Sequence, residues 1–343
     1  MRKLLRDEEY YMRLSQIYKQ NKMSTKKKKH QVQSVILLAL IFSLAMLVSF
    51  TAAGHIGLII CLIFIVGNTA VRLQINPRTT MKLMRARMLN HYEYPALFEI
   101  RKQLCQRAGL SNQPELYLVP GHNMNAFATG PVENSVIGFS ESMLRKLSLR
   151  ETCAVMSHEI AHIHNNDLTM MNISNGLWSF TQNLAQIMQI WVLLMFPFWI
   201  LNLVNMSVPG IIILLISPSL SALLHLALSR TRELEADRTA SYLSGDPEGL
   251  AMALTKLHSQ HVNWWTHLLD QFGIRLKQEI PEYLRTHPSP EDRIRILREY
   301  PSQPELISRI LTRSSSTRSY NQSSYPQTLY RFDSILRIFG LRI

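Results

Sequence analysis

Two stretches of this 343-residue chain contain no Asp, Glu, Lys or Arg, His30 to Val71 and Leu168 to Ser229, although charged residues make up 18% of the whole. Gaps of that length exclude a solvated surface, and each is long enough for two membrane spans of about 20 residues. Cysteine is scarce too. Cys61, Cys105 and Cys153 form no C-x-x-C pair, which argues against a disulfide framework or a cysteine metal site and suits a reducing compartment. Acid is outnumbered, with 24 Asp and Glu against 37 Lys and Arg and a formal net charge of +13. The excess lies beside the apolar blocks: residues 1–33 carry ten Lys and Arg, Lys26 to Lys29 among them, and residues 72–91 carry five with no acid. A Lys run abutting a charge-free block is a membrane-facing flank, so anionic lipid is the expected partner and nucleic acid is not. A cleaved signal is also disfavoured, because the apolar run begins beyond residue 30 and far exceeds an h-region.

Small, polar and Pro/Gly residues divide both blocks, at "TAAGH" (Thr51 to His55) and at "NMSVPG" (Asn205 to Gly210), so each reads as a transmembrane helical hairpin. The basic flanks put both ends of the first hairpin on the cytoplasmic side. The expected order is a basic cytoplasmic N-terminal helix (1–33), hairpin 1 (34–72), the first part of a polar domain (73–183), hairpin 2 (184–229), its second part (230–300), and a Ser-rich linker with an amphipathic C-terminal helix (301–343). Within the first part, residues 94–108 read as a helix. "ELYLVPG", "NAFATG" and "SVIGFS" read as strands, with "PVEN" as a turn.

"SHEIAH" (Ser157 to His162) carries the chemistry. Ser148 followed three residues later by Glu151 is a capping-box start for its helix. Four residues make just over one turn, so His158 and His162 project from one face and Glu159 is offset to reach a water beside a metal held there. A catalytic zinc needs a third protein ligand. "SRTRELEADRTA" (Ser229 to Ala240) offers Glu233 for that place, and Asp237, one turn on, can receive the free N–H of a ligating histidine. Glu235 is turned away by the helical period and is expected to be solvated. His164 lies off the ligand face; His225, Trp264 and Trp265 read as packing or interfacial residues, and Cys153 as a small buried helix residue.

With these residues in hand, the chain resembles the HtpX-type membrane zinc metalloproteases, relatives of the CAAX prenyl endopeptidases in the gluzincin group. "NAFATG", "SHEIAHI", "SRTRELEAD" and "THPSPEDRI" stand in the family's order across residues 35–300. The resemblance implies an α+β membrane protein: a mostly helical, zincin-like catalytic domain with a small β-sheet, plus the two hairpins. It implies one Zn2+ per chain on His158, His162 and Glu233, with Glu159 as general base and Asp237 and Arg232 supporting the site. His287 of the His-Pro motif is expected near the metal as a catalytic group. Asn125, Ala126 and Phe127 are the expected substrate contacts, where a polypeptide could add along an edge strand; an ordinary core hairpin is the other reading of that segment.

The implied activity is endopeptidase cleavage of damaged or misassembled membrane proteins, in stress-linked quality control at a bacterial inner membrane, with the active site facing the cytoplasm. A processing protease for lipidated peptides and a non-enzymatic membrane chaperone are the alternatives. Four spans are few for the enclosed chamber of the former, and an intact Glu159 argues against the latter. Oligomeric state and natural substrates are not legible in the sequence.

Overall fold

The computed structural model describes residues 2–74, 76–121, 123–258 and 290–315. Three helices in it are long and apolar enough to cross a membrane, and they overlie the two charge-free blocks: His30–Asn68, Asp167–Ile200 and Val208–Ser244. The first belongs to α1 (Arg2–Gln74), which breaks at Ala53 and Gly54. Gly54 adopts φ 56°, ψ −136°, a conformation open to glycine and strained for other residues, and there the chain turns back on itself. The two arms then lie so close that a Cβ on Gly57 would sit 1.9 Å from the Ser49 carbonyl oxygen. Ile41, Ala45 and Cys61 pack across the arms, with Leu177 and Leu228 beside them. The first apolar block is therefore a hairpin with two arms of roughly 20 residues, ~30 Å each.

The second block forms another hairpin from α6 (Asp167–Ile200) and α7 (Val208–Ser244). Its prolines do not break it. Pro209 stands in the first turn of α7, where a missing N–H costs nothing. Pro218 lies inside α7 and leaves the Leu214 carbonyl without its helical donor; Gln189 Nε2 donates to that oxygen across the hairpin at 2.8 Å, and Gln182 Nε2 donates to the Pro218 carbonyl at 2.8 Å. Nothing in the hydrocarbon core of a bilayer could replace these donors. Near the polar end, His225 shares a hydrogen bond with Ser174 (2.8 Å) and stacks on Trp178 with ring centroids 5.1 Å apart.

The polar segments build the domain that carries the site. A four-stranded sheet of β1 (Arg87–Met88), β2 (Glu115–Val119), β3 (Ala126–Thr129) and β4 (Val136–Ser140) runs in the order β1-β2-β4-β3. β2 and β4 are parallel, the other pairs antiparallel. One face packs on α3 (Pro95–Ala108) and α5 (Leu149–His164) through Leu116, Ile137, Phe139, Leu97, Ile100 and Met156. On the other face α2 (Pro77–Leu83) lays Met81 against Tyr117 and Val136. Short α4 (Glu141–Lys146) leads into α5, and the helix over 247–258 (α8), α9 (Pro290–Leu297) and α10 (Pro304–Ser315) close the far side.

Candidate metal centre

α5 begins where its capping box places it: Ser148 Oγ accepts from Glu151 N, and Glu151 Oε2 accepts from Ser148 N at 2.7 Å. Sixteen residues long and buried on nearly every side, it holds His158, Glu159 and His162 under the sheet. α7 crosses from the apolar hairpin into this domain as one uninterrupted helix and lies beside α5, so that Glu233 faces both histidines. His158 Nε2 and His162 Nε2 are 3.1 Å apart; Glu233 Oε2 lies 3.5 Å from the first and Oε1 3.9 Å from the second.

Each histidine is backed by a carboxylate on its other nitrogen. Asp167 Oδ2 lies 2.9 Å from His162 Nδ1. Asp237 Oδ1 lies 3.0 Å from His158 Nδ1, close enough for a hydrogen bond but off its line. Behind these stand two buried guanidiniums. Arg293 grips Asp237 with Nε and Nη2 at 2.7 and 2.6 Å and places Nη1 3.1 Å from Glu233 Oε2. Arg232 donates to Asp167 Oδ1 at 3.1 Å and to the His30 carbonyl at 3.3 Å, which ties the foot of hairpin 1 to the centre.

This donor set fits a divalent cation on three counts. Carboxylates at both Nδ1 atoms favour the tautomers that turn the Nε2 lone pairs toward each other, and two acceptors 3.1 Å apart need an electrophile between them. Ligands ~2.0–2.1 Å from a tetrahedral ion stand about 3.4 Å apart, and the observed 3.1, 3.5 and 3.9 Å bracket that value. Finally, Glu159, Asp167, Glu233 and Asp237 are buried against Arg232 and Arg293, four negative charges to two positive. Buried charge of that kind requires compensation. In the metal-free chain a proton supplies part of it: burial alone would depress His158, but the adjacent Asp237 and Glu233 carboxylates outweigh that and raise it to about 10. Asp237 is likewise pushed up by burial, yet Arg293 and His158 hold it below the ordinary carboxylate range.

The residues singled out in the sequence land as follows. His158, His162, Glu233, Glu159, Asp237 and Arg232 converge. Asn125 is exposed and tied to the end of β4 by Ser140, while Ala126 packs toward the core and Phe127 toward Met81 and Tyr117 on the opposite face. β3, which carries Ala126 and Phe127, is an edge strand among the described residues. His164 is exposed, and Cys153 is a buried free thiol that burial pushes up to about 12. His287, Trp264, Trp265 and the C-terminal amphipathic segment lie outside the described residues. Glu235 requires correction: it is not solvated but 1% exposed and paired with Arg238. The helical period does turn it from the ligands, but that side of α7 is buried as well, Arg238 included.

Two members of the centre were not assigned from sequence. Arg293 sits inside the quoted "THPSPEDRI" motif, and Asp167 is the last charge before the second apolar block. No local pattern pairs Arg293 with Asp237, 56 residues away. Asp167, for its part, has the sequence context of an ordinary charged flank to a membrane span.

A model of Peptidase family M48 matches residues 93–301. The chain is 29% identical over 233 residues to a protein named "Protease HtpX homolog" from Ralstonia pickettii, an alignment covering 66% of this chain and 78% of that one. To the protein of the same name from Paraburkholderia phytofirmans it is 31% identical over 229 residues, with the same coverage. To that from Burkholderia lata it is 28% identical over 283 residues, 78% of this chain and 96% of the relative. Among solved structures, the crystal structure of S. mikatae Ste24p superposes with a TM-score of 0.46 and 19% identity, over 80% of this chain and 66% of that one.

Proposed function

The chain belongs to Peptidase family M48 as an HtpX-type membrane metalloprotease, and from that premise we propose that it is a zinc endopeptidase cleaving damaged or misassembled membrane proteins on the cytoplasmic side of a bacterial inner membrane. The observation that carries this reading is the juxtaposition of His158, Glu159 and His162 with Glu233 on a helix continuous with a membrane-length apolar segment.

His158, His162 and Glu233 would hold the zinc. When bound, it supplies polarisation of the scissile carbonyl and acidification of the attacking water. Glu159 takes one proton from that water as its oxygen adds to the carbonyl carbon. As the C–N bond breaks, the same carboxyl returns the proton to the leaving nitrogen, so the base is restored within one turnover. Asp167 and Asp237 keep the ligand imidazoles oriented, and Arg232 and Arg293 hold those carboxylates in place. A substrate strand laid along β3 would present its backbone, a mode of recognition that is tolerant of side chains. The basic flanks at residues 1–33 and 72–91 support the cytoplasmic placement of both the centre and the lipid-facing surface.

The test is reconstitution into proteoliposomes with a membrane-anchored, unfolded reporter, wild type beside Glu159→Gln, with metal content measured on both. Cleavage by the wild type alone, at equal metal content, is the expected result; cleavage by both would remove Glu159 from the mechanism, and cleavage by neither in metal-loaded protein would remove the proposed substrate class.

A further inference from the structure

One surface of the catalytic domain is built unlike the rest. Leu83 is 81% exposed and Tyr92 91%, and Met84 and Met88 are about half exposed; all four fall within ten residues of chain. Monomeric soluble surfaces scatter such groups singly, and a local cluster marks an interaction site. The cluster flanks a reversal in which Ala86 N bonds to the Met81 carbonyl and Arg85 N to that of Lys82, a Schellman motif closing α2. Its left-handed position, usually glycine, is held by Arg85 at φ 54°. The segment thus keeps a long cationic side chain at a place where glycine would fit without strain.

Charge and position indicate what covers this surface. Residues 72–91 contain five bases and no acid. Arg78 is engaged by Glu115 and Arg87 by Glu93, but Lys82 and Arg85 are exposed with no carboxylate partner among the described residues. α1 ends at Gln74, two residues before the Asn76 cap of α2, so the patch begins where the chain leaves hairpin 1. The arms of that hairpin lie side by side, which puts this exit level with His30, whose carbonyl is bound by Arg232 at the metal centre. Apolar side chains ringed by unpaired cations at the foot of a span match an anionic headgroup layer. A second copy would bring the same cations, and residues 328–343 carry Arg331, Arg337 and Arg342 against one acid, Asp333; both would repel.

We propose that Leu83, Met84, Met88 and Tyr92, with Lys82 and Arg85, form a monotopic contact that seats the catalytic domain on anionic lipid, holding the centre close to where membrane substrates emerge. This rests on the membrane placement of the protease and deepens it. The native cysteines are all buried, so a dye can be directed to an introduced one. The experiment uses the full chain in lipid nanodiscs, labelled with an environment-sensitive dye at Leu83→Cys, at Tyr92→Cys, or at Tyr242→Cys as reference. Tyr242 is 53% exposed and lies twelve residues beyond Arg230 on α7, ~18 Å further along the helix. In discs containing phosphatidylglycerol, shallow spin-labelled lipid is expected to quench positions 83 and 92 about threefold more than 242, and Lys82→Glu/Arg85→Glu should bring them to the level of 242. Equal quenching at all three positions in the wild type overturns the proposal. So does a concentration-dependent blue shift without lipid quenching, which would point to a second copy. The readout is independent of cleavage, so an inactive preparation neither mimics nor masks it.

Discussion

Asp237→Asn is the substitution on which the architecture of the centre makes its sharpest prediction. The Asp237 carboxylate accepts two hydrogen bonds from Arg293, at 2.7 and 2.6 Å, and faces His158 Nδ1 at 3.0 Å, all of it buried. The amide removes the charge that orients the His158 imidazole and leaves Arg293 with Glu233, 3.1 Å away, as its remaining anionic partner. Arg293 then competes with the metal for a ligand. Loss of a carboxylate behind a ligating histidine lowers metal affinity by about 10–100-fold, or ~1.4–2.7 kcal/mol. Breaking one side of a buried ion pair costs a further ~3–5 kcal/mol of fold stability in the metal-free chain. The two effects separate in Asp237→Asn/Arg293→Met, where no guanidinium is stranded: stability should recover while zinc affinity stays low. Chelator-competition titration and thermal melts of metal-stripped, detergent-purified protein measure both. Zinc affinity of Asp237→Asn within twofold of wild type would refute the assignment of Asp237 as the group that positions His158.

Other outcomes follow from the same geometry. Glu233→Ala should strip the bound metal and abolish cleavage, as elemental analysis alongside reporter cleavage would register. Because His158 is raised from its ordinary 6.5 to about 10 in the metal-free chain, the stability it contributes is complete below pH 6.5 and is lost as pH rises toward 10; pH-dependent melts of stripped protein should show this decline. Metal must displace that proton, so apparent zinc affinity should climb about tenfold per pH unit between pH 7 and 9, and a slope near zero would contradict the coupling. Gly57→Ala places a methyl group on the Ser49 carbonyl and should destabilise the protein by ~1–3 kcal/mol, measured as a lowered melting temperature in detergent.

Much of this molecule is local in origin and was therefore legible in the chain. The absence of charge over His30–Val71 and Leu168–Ser229, together with their apolar composition, marked two blocks each long enough for two membrane spans. The residues "TAAGH" marked the turn that Gly54 makes. Ser148 and Glu151 announced the start of α5, and the helical period put His158 and His162 on one face. What distance along the chain concealed was pairing. It concealed burial too: Glu235, polar and off the ligand face, read as solvated, and although its partner Arg238 is only three residues on, tertiary packing buries both. Nor does the chain itself show that Gln189 reaches across the hairpin to the Leu214 carbonyl that Pro218 leaves without its helical donor.

By itself, then, the sequence determined which residues could bind a metal and which segments had to leave water, because both depend on residue type and short-range period. Tertiary structure alone decided that Arg293 grips Asp237 from 56 residues away, and that Arg232 links Asp167 to the first hairpin. The physical reason is that a buried charge is tolerated only beside its partner, and that partner is chosen by how α1, α6, α7 and α9 pack rather than by any pattern within them.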